Sequence, residues 1–114
     1  MTFLILLVAI SKKEISQLFL KGDKINNDYF SGTAWLQMLV TDKENFDLTI
    51  ENVIFEKGVR NNWHFHPGGQ ILFCTKGIGY YQEKRKPAQL LKVGNVIQIL
   101  PDVVHWQIAH QYYL

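Results

Sequence analysis

The sequence predicts an all-β domain, a sandwich or barrel, on three observations. Short runs rich in β-branched and aromatic residues recur along the chain, clusters of Gly, Pro, Asn and Asp separate them, and no convincing helix interrupts the series. At 114 residues the chain can bury one apolar core and not two.

The elements follow in order. Residues 1–10, MTFLILLVAI, read as a buried strand. The run falls short of the roughly 20 residues a bilayer span needs. Its lysines follow rather than precede it, which makes a secretory signal the weaker reading. Ser11-Lys12-Lys13-Glu14 has the spacing of a capping box, and Ile15, Leu18 and Phe19 then share one helical face. A short N-terminal helix is expected over 12–20, ended by Lys21-Gly22-Asp23. Residues 1–20 thus form a strand-and-helix extension, and 21–114 the barrel domain. Strands are expected at 33–40, 48–55, 62–66, 70–75, 78–82, 89–92, 95–100 and 104–109. The turns between them carry Lys57-Gly58, Pro67-Gly68-Gly69, Lys76-Gly77, Lys86-Pro87 and Val93-Gly94.

Composition excludes several classes. A net charge of +2 with scattered lysines gives no nucleic-acid-binding stripe, and no segment is built to cross a membrane. The one cysteine, Cys74, rules out an internal disulfide, fits a reducing cytoplasm, and reads as a small core hydrophobe.

The chemistry concentrates in WHFHPGGQ, residues 63–70. Alternate strand residues point the same way with Cα atoms about 6.6 Å apart. His64 and His66 therefore project into one space, and Trp63 and Phe65 face away. Two imidazoles so placed can converge on one ion at roughly 2.0–2.1 Å each. The Pro67-Gly68-Gly69 turn can bring Gln70 beside them, and His105, after a turn at Pro101-Asp102, offers a further ligand. A pair of histidines beside a turn is also compatible with no metal at all.

The wider arrangement resembles the cupin superfamily. Gly58, His64, His66 and Gln70 match the first cupin motif, with its closing glycine at Gly77 or Gly79. Gly94 and His105 match the second, with Leu100 and Asp102 in its Pro and Gly places. The stretch from Trp63 to Trp106 is similar to small single-domain cupins associated with carboxymuconolactone decarboxylase-like proteins, in which Gln often replaces the motif's Glu. Gln107 stands where such relatives often carry another histidine. The resemblance implies a jelly-roll barrel, the double-stranded β-helix, with a metal held by His64, His66, Gln70 and His105. It also implies one more strand than the chain supplies, so another segment must cover that edge. The run Phe3–Ile10 is the candidate, within the chain or across a homodimer.

Imidazole and amide ligands suit one divalent first-row ion, and spacing does not separate Zn, Mn, Fe, Co and Ni. Three neutral histidines and an amide leave the ion's charge uncompensated, which favours a small anionic or enolisable ligand. Gln37 and Gln107 are candidate substrate-binding residues. No Asp or Glu lies within two residues of His64, His66 or His105, and Asp102, three before His105, falls in the turn, so the local sequence supplies no evident general acid or base. The expected function is a metal-binding cupin, an oxidoreductase or lyase acting on a small oxygenated organic acid. The alternative is a non-enzymatic sensor or binding module on the same barrel.

Overall fold

The computed structural model describes residues 3–10, 22–25 and 28–109. Among them are β1 (Phe3–Ile10), β2 (Asp23–Ile25), β3 (Ala34–Val40), β4 (Leu48–Phe55), β5 (Gln70–Lys76), β6 (Ile78–Glu83), β7 (Gln89–Lys92), β8 (Val96–Ile99) and β9 (His105–Ala109), with no helix among the described residues. The helix expected over 12–20 lies outside those residues. The all-β expectation holds, and the bounds expected for β4 and β7 match the observed ones.

Two sheets form. The larger has six strands in the order β2-β3-β4-β1-β5-β8, and the smaller has the order β7-β6-β9. The chain changes sheet between β5 and β6 at Gly77, with φ 78°, and between β7 and β8 at Gly94, with φ 92°. Both corners need the left-handed backbone that glycine adopts without steric cost. Residues Val53, Phe55, Leu72, Cys74, Tyr81, Leu91 and Ile99 draw on both sheets and pack into one buried cluster. Cys74 belongs to that core, as its apolar neighbours suggest.

β1 lies between β4 and β5 and runs parallel to both, in register from Phe3 opposite Leu48 to Ile10 opposite Phe55. A strand between parallel neighbours reads as an unbroken apolar run rather than an alternating one. This accounts for FLILLVAI. The segment expected to cover an open edge thus pairs within its own chain.

Two differences from the sequence expectation matter. β2 was not foreseen: three residues give no period to read, and β3 alone pairs with it. Residues 62–66 are not a regular strand. Only an isolated bridge, His64 to His105, occurs there, for a reason the site makes plain.

Deleting residues 1–10 removes the strand that separates β4 from β5 and leaves each of them one bare edge. The expected product is insoluble or unfolded, judged by soluble yield and circular dichroism. A soluble variant with native β signal would show that the flanking strands close on each other.

Candidate metal centre

The approach to the site is set by residues 60–64, which run antiparallel to β9. Bridges form at Arg60 opposite Ile108 and at His64 opposite His105, so four residue steps on one side face three on the other. The surplus residue makes a bulge, which is why regular pairing fails over 62–66. Asn61 replaces the missing ladder bonds. Its N–H donates to the Gln107 carbonyl (3.1 Å), its Oδ1 accepts the Gln107 backbone N–H (2.7 Å), and its Nδ2 donates to Gln107 Oε1.

At the bridge itself the two histidines exchange both backbone hydrogen bonds, His64 N–H to His105 O at 3.0 Å and His105 N–H to His64 O at 2.9 Å. Residues paired this way put their side chains on the same face. The ring centroids of His64 and His105 stand 4.3 Å apart, with His66 at 5.1 Å from His64 and 5.8 Å from His105. Ligand atoms of all three lie within 4.8 Å of one another. The expectation that His64 and His66 share one space is met, although the strand that suggested it is broken.

Carbonyl oxygens fix the tautomers. His64 Nδ1 lies 2.6 Å from the Asn62 carbonyl, and His105 Nδ1 lies 3.0 Å from the Val103 carbonyl. A carbonyl only accepts, so each Nδ1 carries the proton and each neutral ring keeps a bare Nε2. Such backbone partners are the usual second support of a metal-ligating histidine.

Gln70, the first residue of β5, is fully buried, and its Oε1 lies 2.9 Å from His105 Nε2. Two ligands about 2.1 Å from one ion and at right angles to each other stand about 3.0 Å apart. The donor set and this spacing fit a divalent first-row ion. With Nδ1 protonated against the Val103 carbonyl, His105 Nε2 and Gln70 Oε1 are both acceptors, a facing pair that a cation between them would satisfy.

The altered second motif still makes its turn. Leu100-Pro101-Asp102-Val103 is closed by Val103 N–H to Leu100 O at 3.3 Å, with Asp102 at φ 67°. This is a type II arrangement, with Pro at the second place and a left-handed residue at the third. Aspartate is among the few non-glycine residues that tolerate that backbone. The Asp102 N–H then donates to His66 O (3.1 Å), which also accepts from Gly69 N–H (3.0 Å). One carbonyl therefore ties both turns to the histidine segment.

Burial dominates the electrostatics. It pushes His66 and His105 each down to about 4, neighbouring imidazoles adding to the effect while the Val103 carbonyl opposes it at His105. Burial lowers His64 as well, against the pull of the Asn62 carbonyl. The rings are neutral at physiological pH, the form that ligates metal.

Beside the histidines lies a cavity of about 320 Å³ bounded by His64, His66 and Gln70 and walled by Phe30, Phe55 and Phe65 among others. Gln107 is buried behind Asn61, which itself faces the cavity. Gln37 does not reach it: it sits on β3 and its amide donates to the Met38 carbonyl at 3.2 Å. The cavity also holds a residue that the sequence reading passed over, Glu51 on β4. It stands 13 positions before the nearest site histidine, and alternation within LTIENVIF was the one available clue.

No family model matches the chain. An (R)-mandelonitrile lyase from Granulicella tundricola is 33% identical over 79 residues, which are 69% of this chain and 60% of that protein. The chain thus spans less than two thirds of that relative's length. A solved cupin-like protein from Thermotoga maritima superposes with a TM-score of 0.80 at 48% identity, over 84% of this chain and 73% of that one.

Two outcomes follow from the geometry. A β-branched residue at the left-handed position should be strained, so Asp102→Val is expected to cost about 1–3 kcal/mol in denaturant unfolding, and Asp102→Gly should not. The second concerns pH. The three histidines are held below the value of about 6.5 they have when unfolded. The metal-free fold should therefore lose stability as pH falls from about 6.5 towards 4, because only the unfolded chain takes up those protons there. Burial raises the Glu51 carboxyl, which works in the opposite sense as one group against three. A Tm that does not fall over that window would contradict the assignment of neutral, desolvated rings.

Proposed function

We propose, from the premise that this chain belongs to the cupin superfamily, that it is a metal-dependent cupin acting on a small oxygenated organic acid or a neutral relative of one. The observation that carries this reading is the convergence of three imidazoles and the Gln70 amide at the edge of an apolar cavity. His64, His66, His105 and Gln70 would hold one divalent first-row ion: Zn, Mn, Fe, Co or Ni. When bound, such an ion draws electron density from the oxygens it takes up and eases loss of a proton or carbon fragment next to them.

The chain's own residues do the rest. His64 and His105 are oriented by carbonyls and need no reorganisation to present Nε2. Phe30, Phe55 and Phe65 exclude water around a bound ligand. Lyase chemistry is favoured over oxidation because the related protein from Granulicella tundricola is a lyase. The same reading takes the protein as a cytoplasmic homodimer among the cupins associated with carboxymuconolactone decarboxylase-like proteins. The buried free thiol of Cys74 supports a reducing compartment. Exposed Phe73 and Val96, opposite one another on β5 and β8, offer an apolar surface to a second copy.

Elemental analysis tests the centre: wild type should carry one divalent ion per chain and His64→Ala almost none. Equal metal in both removes the reading. Gln70→Glu is the finer test, because it offers the ion a charged oxygen at the same length. It should retain metal longer against a chelator and bind acetate more weakly, as the site's net positive charge falls. Weaker or unchanged retention would take Gln70 out of the ligand set.

A further inference from the structure

The cavity holds one carboxylate for which the metal centre has no use. Alternation along β4 puts Glu51, Val53 and Phe55 on one face, and all three line the same space as His64, His66 and Gln70. Strand pairing sets Met38 and Leu6 opposite Glu51, so neither neighbour brings a charge. Lys43 is the cation that acts on it, and burial outweighs that pull and raises the carboxyl. Glu51 is therefore a stronger base than an exposed glutamate. Among the described residues no other Asp or Glu lines the cavity.

An interior strand position with a half-buried carboxylate has a desolvation cost, and an apolar residue would fill it without one. The remaining walls are mainly aromatic and aliphatic, in a volume at the lower end of small-molecule sites, which run from about 300 Å³. Such walls suit a ring or short branched chain, and the related protein named a mandelonitrile lyase supplies a candidate of that kind, an aryl group beside one hydroxyl.

We propose that Glu51 is the proton acceptor of this site and that it selects a neutral α-hydroxy compound bearing a small aryl or branched alkyl group, such as a cyanohydrin. The inference rests on the metal-centre reading above and deepens it. For a cyanohydrin the balance is complete. The hydroxyl O–H bond breaks and its proton passes to the Glu51 carboxylate. The oxygen's electron pair closes the carbonyl, the bond to the nitrile carbon breaks, and its pair leaves with cyanide. Cyanide takes the proton back from Glu51 and departs as hydrogen cyanide, leaving an aldehyde and the original carboxylate. No oxidant or reductant enters. The same carboxylate lowers the site's positive charge and so weakens its hold on an anionic ligand relative to a neutral one.

The test compares manganese-loaded wild type with manganese-loaded Glu51→Gln, metal content measured in both. Benzaldehyde release from racemic mandelonitrile is followed at mildly acidic pH, where spontaneous decomposition is slow, and mandelate binding is followed by calorimetry. Glu51→Gln should keep its metal and cleave about 100-fold more slowly. It should bind mandelate about fivefold more tightly, because the cavity has lost a negative charge. Equal cleavage by the two metal-replete proteins, or unchanged mandelate affinity, overturns the assignment. Loss of metal from the variant overturns it too, by making Glu51 a support of the centre. Wild type that holds metal but does not cleave mandelonitrile overturns the substrate class and leaves the centre standing; wild type that holds no metal overturns both.

Discussion

The site depends on one pair of backbone hydrogen bonds, those exchanged by His64 and His105. These residues lie 41 positions apart in the sequence, and the bridge makes them direct neighbours. Because a doubly bonded antiparallel pair presents both side chains on one face, the imidazoles start from adjacent Cβ atoms, and the Asn62 and Val103 carbonyls then fix their rings. The outer side of the same junction is covered by Trp63 and Trp106, whose rings meet edge to face at 6.0 Å. The bridge is thus clamped by an aromatic pair outside and carries its ligands inside.

Around this bridge the structure trades regular strand pairing for placement. The surplus residue between Arg60 and His64 breaks the ladder, and Asn61 restores the bonds to Gln107 with its side chain. A glutamine and an asparagine buried together would otherwise leave several polar groups desolvated, each costing about 1–3 kcal/mol. Their mutual pairing gives Gln107 a structural task beside His105.

The cavity joins two chemistries that pull in opposite directions. Aromatic walls lower the local dielectric, which keeps the histidines neutral and ready to ligate and raises the Glu51 carboxyl. A divalent ion would reverse part of that field, since its charge is the largest in any such site. Were an ion held by those neutral ligands, Glu51 would be the negative group among the described residues that line the same cavity.

The sequence by itself determined the all-β class and most of the strands, though not β2 or the break over 62–66. It likewise determined the unbroken apolar run of β1 and the shared direction of His64 and His66, because each follows from a local period or a short motif. It also marked Gln70 and His105 through the two motifs. Tertiary structure alone decided the rest. Whether Phe3–Ile10 paired inside its own chain depended on an opening between β4 and β5, which no local pattern describes. Asp102 looked like a departure from the second motif, yet its left-handed backbone performs glycine's part, a matter of φ rather than of residue name. Glu51 was illegible for a related reason. LTIENVIF is apolar on both faces, so alternation groups Glu51 with Val53 and Phe55 without saying which face meets the histidines. That choice belongs to contacts between distant segments, and only the folded barrel makes them.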